Sequence, residues 1–593
     1  MAKAKTWQKI QMRPTTAVMD VRSRPADLPD GLVRWRLNFA TTDENKMCSR
    51  DGHARAFNNT DISPYTNFDL HHQGADREKI TLIYESTDNA GGRRLFAGTQ
   101  SRVSKLNEAT GLWTSVASGK GADGSRFKAA ELQDWILFTN NVDKVFSYQI
   151  STGTVADVAE LTNAPYRLPD GTSVTGKSIT KAKVIIQYQG VIFLMNVVQD
   201  GVRQASRVTW CDLNAPLSWV LAAPGTIAGF QDLQYGDEIL AATEMNGALM
   251  IYTSKGIYKV TVSTDPDVAF GFKRIYSEPR NRSGCLAFPN TLVSTGGSNY
   301  YMSKDGIYHF NPYLSAPERV DWIHRADGVI YTKPDTKISA IDCESPVAEY
   351  RPANRELMFS WASTGAIDNN NWTLFLNTDK QTADVMDHGY TALASFGPDT
   401  DANGECNLNQ LLLGASGLDW CLKQIGGGFF SRQMLPAGSL ITDDFDLDSN
   451  DSYVLVGYYR TLRGLIPAGV IDREKLLNGI LIDNDSVVQA EPCVFRMRVG
   501  TSYNVVDPNS VEDRCSPLWR RLADITTACI DESGNIAMRS KNQRPAQPKD
   551  FNCYEQGRFL YFELTIANKD GSPALGGDVC ISRLEFTMMA LAP

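Results

Sequence analysis

The chain has 593 residues, 42% hydrophobic and 21% charged, with 59 Lys+Arg against 68 Asp+Glu and a formal net charge of −9. That balance argues against a basic, high-affinity nucleic-acid binder, whose affinity comes from Lys and Arg neutralising phosphates and releasing counterions. A mean hydropathy of −0.28 excludes a mostly disordered chain. Apolar runs such as Val191 to Met195 fall far short of the ~18 residues that a membrane-spanning helix needs.

The N-terminus, Met1 to Ile10, is polar and lysine-bearing, so no secretion signal is expected. Residues 1–74, with Arg22, Arg24, Pro25 and Pro29 near an Asp-Gly turn, read as an extended arm or platform piece paired with the C-terminal domain. The eleven cysteines, an odd number without a C-x-x-C pair, read as reduced small hydrophobes of a protein made in a cytoplasm.

From about residue 75 to 430 a short apolar run recurs every 41–57 residues, beginning at Leu95, Ile136, Ile192, Leu249, Tyr300, Leu357 and Leu411. Turn residues precede most of the runs, for example Gln189-Gly190, Asn246-Gly247 and Gly297-Ser298. Each run has the length of a strand, and a second strand follows most of them after a few polar residues. The clearest internal match sets Tyr252 to Tyr258 against Tyr301 to Tyr308. Such a period, with hairpins in each unit, predicts four-stranded blades and hence a multi-bladed β-propeller of six to eight blades. A β-solenoid, the alternative, expects much shorter coils.

After residue 430 the pattern changes. Longer strands at Tyr453 to Arg460, Cys493 to Val499, Phe559 to Ile566 and Val579 to Met588 predict an antiparallel β-sandwich or platform domain over 431–593. Leu560, Phe562, Leu564 and Ile566 alternate with residues on a second, partly covered face. Asp472 to Gly479 is the one helix-like segment there. The fold class expected for the whole chain is all-β.

Nucleotide-binding, zinc-protease and serine-hydrolase motifs are absent, and His71-His72 reads as a polar loop. Asp443, Asp444, Asp446, Asp448 and Asp451 place carboxylates near alternate positions. Ser449 and Leu455 stand where an EF-hand needs Gly and Glu, leaving Asp444, Asp446 and Asp448 as weak metal candidates in an acidic linker. Ser303-Lys304-Asp305-Gly306 is similar to the Asp-box turn of sialidase-type propellers, which is structural. No pair of carboxylates stands out for glycoside hydrolysis. No catalytic residue and no cofactor is expected, and an enzyme is the disfavoured reading. Trp361, Trp372 and Trp420 read as blade core before they read as a ligand surface.

The most specific segment is Thr209-Trp210-Cys211-Asp212-Leu213-Asn214-Ala215-Pro216-Leu217-Ser218-Trp219, followed by Ile227 to Phe230, Gly236 to Leu240 and a hairpin from Asn246 to Val260. Trp210, Asp212, Trp219, Tyr252, Gly256 and Tyr258, with Gly306 and Tyr308 of the matching hairpin, are the blade-motif residues. This string resembles the β-propeller tail proteins of short-tailed bacteriophages, called nozzle, tail-hub or tail tubular protein B. Met47 to Gly52 is also similar to a turn near the start of such proteins, with Asp51 where they would carry Pro.

The resemblance implies a structural virion protein, made in the bacterial host cytoplasm and assembled into the tail. It implies a homo-oligomeric ring, a hexamer, that contacts portal and adaptor proteins and tail fibre or needle proteins. Through that ring the genome passes without sequence-specific binding. Asp443 to Asp451 is the candidate acidic channel loop, because carboxylates repel phosphate over about a Debye length. The alternatives are a receptor- or glycan-binding propeller of the tail and a polysaccharide-degrading tail enzyme.

Overall fold

The computed structural model describes residues 7–13, 18–23, 28–29, 32–41, 46–50, 53–55, 80–87, 93–107, 112–122, 124–162, 164–167, 173–220, 225–264, 268–279, 284–339, 343–352, 354–364, 370–396, 399–400, 406–407, 410–415, 421–424, 460–467, 474–484, 494–500, 519–521, 525–526, 549–567 and 580–591. Among the described residues the N-terminal part supplies five strands: β1 (Trp7–Met12), β2 (Val33–Leu37), β3 (Phe39–Thr41), β4 (Met47–Ser49) and β5 (His53–Arg55).

Among the described residues seven antiparallel blade sheets follow. The first is β6 (Leu82–Thr87), β7 (Arg93–Gly98), β8 (Arg102–Asn107) and β9 (Leu112–Ser118); the second is β10 (Lys128–Leu132), β11 (Trp135–Thr139), β12 (Phe146–Gln149) and β13 (Val155–Asp157). A short helix α1 (Ala159–Thr162) and a hairpin, β14 (Ala164–Arg167) and β15 (Ser173–Lys177), lead to the third sheet. It comprises β16 (Ile179–Tyr188), β17 (Val191–Gln199), β18 (Val202–Trp210) and β19 (Gly229–Asp232). The fourth is β20 (Ile239–Met245), β21 (Ala248–Thr253), β22 (Gly256–Val262) and β23 (Phe270–Ser277).

The fifth sheet has three strands, β24 (Val293–Ser294), β25 (Asn299–Met302) and β26 (Ile307–Phe310), and is followed by α2 (Asp321–Ala326) and α3 (Gly328–Tyr331). The sixth begins with β27 (Val347–Arg351), β28 (Glu356–Trp361), β29 (Trp372–Asn377) and β30 (Thr382–Met386). The seventh uses β31 (Tyr390–Phe396), then, past a small hairpin of β32 (Asp399–Thr400) and β33 (Cys406–Asn407), β34 (Gln410–Ala415) and β35 (Cys421–Gln424).

These sheets are blades in a closed ring. The first strands touch in cyclic order: β6 with β10, β10 with β16, β16 with β20, β20 with β24, β24 with β27, β27 with β31, and β31 with β6. The ring thus has seven blades, and its last blade takes its fourth strand from the chain's beginning, where β5 pairs with β35. That strand lies outside the 75–430 span read from the repeats.

The seven apolar runs fall on β7, β11, β17, β21, β25, β28 and β34, the second strand of each blade. A second strand is flanked by strands on both sides and by a neighbouring blade on each face. It is therefore apolar throughout rather than alternating. All six residues of β21 and of β28 are buried.

The C-terminal strands are β36 (Arg460–Leu465), β37 (Lys475–Asn484), β38 (Val494–Gly500), β39 (Trp519–Arg521), β40 (Ile525–Thr526), β41 (Lys549–Gly557), β42 (Tyr561–Ala567) and β43 (Cys580–Ala590). They form two sheets with the N-terminal strands. One runs β3-β4-β43-β37-β41, with β1 also on β43; the other continues blade six through β2 to β36, β42, β38 and β39. One core fills the space between them, drawing Trp35, Leu357, Trp361, Phe562, Leu564, Phe586 and Met588 from arm, blade and C-terminal strands alike. Phe562 and Phe586 meet with ring centroids 5.5 Å apart.

Two readings are corrected. The helix-like segment Asp472 to Gly479 enters strand β37, because pairing with β41 and β43 on both sides outweighs a few good helix formers. A bulge between Leu477 and Gly479 keeps Leu477, Ile480 and Ile482 all in the core. Not every cysteine is reduced: Cys48 of β4 stands opposite Cys580 of β43 and is disulfide-bonded to it, joining positions 532 residues apart. Cys211 and Cys285 are free and buried, and Cys343 is free and exposed.

Candidate functional site

Trp210, Asp212 and Trp219 shape a long loop between the third and fourth strands of blade three. The Trp210 indole donates to the Ile227 carbonyl at 2.6 Å. Asp212 Oδ1 accepts the backbone N–H groups of Leu213 and Ile227, each at 2.9 Å, so both ends of the loop close on one carboxylate. Trp219 is fully buried; its indole N–H donates to the Pro216 carbonyl at 2.8 Å, and its backbone N–H reaches Glu160 Oε2 of α1 at 2.7 Å.

The remaining motif residues sit one and two blades on. Tyr252 packs edge-on against Tyr301 at 5.1 Å and accepts a hydrogen bond from buried Asn299 at 2.8 Å. A Cβ at Gly256 would lie 2.5 Å from the Tyr276 carbonyl, which explains glycine there. Tyr258 donates to the Gln234 carbonyl. At Gly306 a Cβ would meet Asp327 Oδ2 at 3.0 Å, and Tyr308 stacks on Tyr301 and accepts from Arg319 at 3.0 Å. Tyr252, Tyr301 and Tyr308 thus share one inter-blade core, separate from that of Trp210 and Trp219. Trp361 is buried with its indole N–H on the Thr336 carbonyl, and Trp372 packs edge-on against Trp35, so both belong to the core. Asp443, Asp444, Asp446, Asp448 and Asp451, like Trp420 and His71-His72, lie outside the described residues.

Two charged clusters were not picked out by sequence. The first crosses the propeller axis. Lys183 of blade three pairs with Glu344, just before blade six, at 3.2 Å, and with Glu238, just before blade four, at 3.4 Å. Asn290, ahead of blade five, donates to the Glu344 carbonyl at 2.7 Å and to its carboxylate at 3.2 Å. Arg126, ahead of blade two, donates to the carbonyls of Thr391 and Ser345 at 2.9 and 3.1 Å. Burial raises the Glu344 pKa, but Lys128, Lys183 and Arg126 outweigh it and hold the carboxyl below its ordinary value. Burial likewise lowers the Lys128 pKa. In a ring of seven, blades three and six stand across the axis from one another, so this cluster bridges the central opening.

The second cluster sits where arm and blade six meet. Arg50 grips Glu356 with two hydrogen bonds, at 3.0 and 3.3 Å, lies 3.6 Å from Asp384 and stacks on Phe375 at 3.5 Å. Arg36 pairs with Asp384 and donates to Thr41 at 2.6 Å. All four charges are enclosed and sum to zero. Burial pushes the Asp384 carboxyl up to about 6 against the pull of both arginines. The available signal was charge inside strand-like runs: Val33-Arg34-Trp35-Arg36-Leu37 and Thr382-Ala383-Asp384-Val385-Met386.

Among the described residues no group of three or more His, Cys, Asp or Glu comes together to hold a metal ion, and no helix is long and apolar enough to cross a membrane. One pocket, of about 360 Å³, opens where the β10–β11 turn, α1 and the blade-three loop meet.

The strand order and the closed ring of first strands define the class: an all-β chain made of a multi-bladed β-propeller and an additional antiparallel platform domain. No family model and no curated protein matches the sequence. Among solved structures it is similar to the Pan2 WD40 domain of Neurospora crassa, at 10% identity and a TM-score of 0.35, covering 65% of this chain and 98% of that one. It is also similar to BamB from Moraxella catarrhalis, at 13% identity and 0.33, covering 58% and 84%. U3-55K gives 7% identity and 0.35, covering 59% and 97%.

Proposed function

We propose that the chain is a structural subunit of the tail of a short-tailed bacteriophage, assembling into a hexameric nozzle ring that conducts and gates the genome during ejection. The observation that carries this reading is the string from Thr209 to Val260, which resembles the nozzle and tail-hub proteins in residue order. Continuity supports it. The blade-six sheet runs on into the platform, and the first described strands close both the propeller and the platform sheets. A subunit so joined transmits load between neighbours as one body, which a pressurised conduit requires.

The bridged axis refines the reading. A duplex does not pass a gap closed by the Lys183–Glu344 pair, so the conduit is enclosed between subunits rather than inside one propeller. The interface around such a conduit is head-to-tail and closes by rotation. The acidic balance suits a wall that lets phosphates slide without holding them. Portal, adaptor and fibre proteins are the proposed partners and the virion tail the proposed location, with assembly rather than catalysis as the role.

Negative-stain electron microscopy of the purified protein, alone and with portal and adaptor proteins, tests the proposal. Six-fold rings support it. A trimeric spike, or a monomer that never closes a ring with those partners, overturns it.

A further inference from the structure

The pocket on the flank of blades two and three has a chemistry of its own. Its wall is fixed rather than loose. Gln133 at the tip of the β10–β11 turn and Asn214 in the blade-three loop both hold positive φ, 57° and 51°. The Asn214 backbone N–H donates to the Gly190 carbonyl at 2.8 Å, and the Ser218 N–H to the Ala215 carbonyl at 2.9 Å. Beneath them Trp219 is buried, tied to Pro216 and Glu160. Such support holds side chains in place before any ligand arrives, which reduces the entropy lost on binding.

The lining mixes one aromatic ring with uncommitted donors and acceptors. Trp135 stands in the wall. Gln133 Nε2 donates to Asn214 Oδ1 at 3.4 Å, leaving Gln133 Oε1 as an acceptor and Asn214 Nδ2 as a donor. Glu160 uses Oε2 on Trp219 and keeps Oε1, and the Ser218 hydroxyl both donates and accepts. Asp134 is already spent, because its carboxylate takes the Ser151 N–H at 2.9 Å, the Ser151 hydroxyl and the Gln149 amide at 3.0 Å.

No Lys or Arg lines the pocket while two carboxylates do, which disfavours phosphate, nucleic acid and carboxylate ligands. A quaternary ammonium is normally held by a cage of several aromatic faces, and here there is one. A sugar ring suits the set: C–H groups against an indole, and hydroxyls that each give and take a hydrogen bond. At about 360 Å³ the site lies at the small end of the ~300–1,000 Å³ common for small-molecule pockets.

We infer that this pocket is a binding subsite for a neutral saccharide unit. Trp135 stacks the ring, Asn214 and Ser218 donate to its hydroxyls, and Gln133 and Glu160 accept from them. The inference is independent of the ring assembly, and ring images report on that assembly separately.

Saturation-transfer difference NMR on the full chain, with the methyl glycosides of glucose, galactose, N-acetylglucosamine and rhamnose, tests it. At least one should show transfer. Asn214→Asp, which tolerates the same backbone conformation but replaces the donor with a charged acceptor, should weaken that transfer about tenfold with an unchanged melting curve. Trp135→Leu should abolish it; should that variant misfold, Gln133→Asn, which shortens the acceptor arm, serves in its place. Absence of transfer from all four glycosides, equal transfer in wild type and Asn214→Asp, or binding of tetramethylammonium instead of the sugars overturns the inference.

Discussion

Changing Glu356 to Gln tests whether the arm is clamped to blade six by charge. In the native protein Arg36, Arg50, Glu356 and Asp384 balance to zero with all four groups enclosed. The substitution keeps the shape but leaves two guanidinium groups facing one carboxylate. Breaking one partner of a buried pair costs about 3–5 kcal/mol, because the remaining charge is stranded away from water. Against the ~5–15 kcal/mol that holds a typical domain together, this is a large fraction. Loss of the Glu356 charge also removes the repulsion it exerts on Asp384, so that carboxyl moves down from about 6.

The readout is the urea midpoint followed by tryptophan fluorescence, since Trp35, Trp361 and Trp372 lie in or against the adjoining core. The paired substitution Arg50→Met with Glu356→Leu removes the salt bridge without leaving a net charge, and should cost much less than Glu356→Gln alone. A Glu356→Gln protein within about 1 kcal/mol of wild type, or a double variant as unstable as the single one, refutes the clamp.

Burial raises the Glu349 pKa from 4.5 to about 7, so between those values the folded state carries the extra proton. Stability should fall as pH rises through that window, by at most about 3 kcal/mol, and Glu349→Gln should flatten the profile in thermal melts at successive pH values. Alkylation with peptide mapping should label Cys343 at once but Cys48 and Cys580 only after reduction; immediate labelling of all three contradicts their pairing. Gly256→Ala should lower stability by about 1–3 kcal/mol, because its methyl would meet the Tyr276 carbonyl at 2.5 Å. Gly297→Ala, with open space around it, should leave the melting temperature unchanged.

The blades were legible because their second strands carry a local signal that tertiary packing amplifies: enclosure on every side demands an unbroken apolar run, as at Ile192 to Met195. The completion of the seventh blade by His53–Arg55 was not legible, since a three-residue strand has no periodicity and its partner Cys421–Gln424 lies more than 360 positions away. The Trp210–Trp219 element announced itself by composition, and the structure gives the side chains of Trp210, Asp212 and Trp219 each a hydrogen bond. What it builds, a pocket shared with α1 and the turn at Gln133, depended on contacts between blades. The charged clusters were hidden for the same reason. Lys183 and Glu344 look like ordinary surface residues until a closed ring brings these two side chains from opposite blades within 3.2 Å of each other.

That cross-axis pair allows a last test, which separates what holds the propeller shut from where the proposed conduit runs. Glu344→Gln removes the carboxylate to which Lys183 and Asn290 are joined and which offsets Lys128 and Arg126. Three cations then crowd one opening with Glu238 as the carboxylate left bonded to Lys183. Mutual repulsion should lower the melting temperature, and added salt should restore much of the loss, since screening shortens the reach of charge from ~10 Å at 0.1 M to ~3 Å at 1 M. Ring closure by β5 on β35 is backbone hydrogen bonding and should be insensitive to this change. If the proposed ring forms with its conduit between subunits, its six-fold assembly should therefore persist in the variant. A variant that melts normally refutes the electrostatic bridge, whereas one that assembles but ejects faster would move the conduit into the propeller itself.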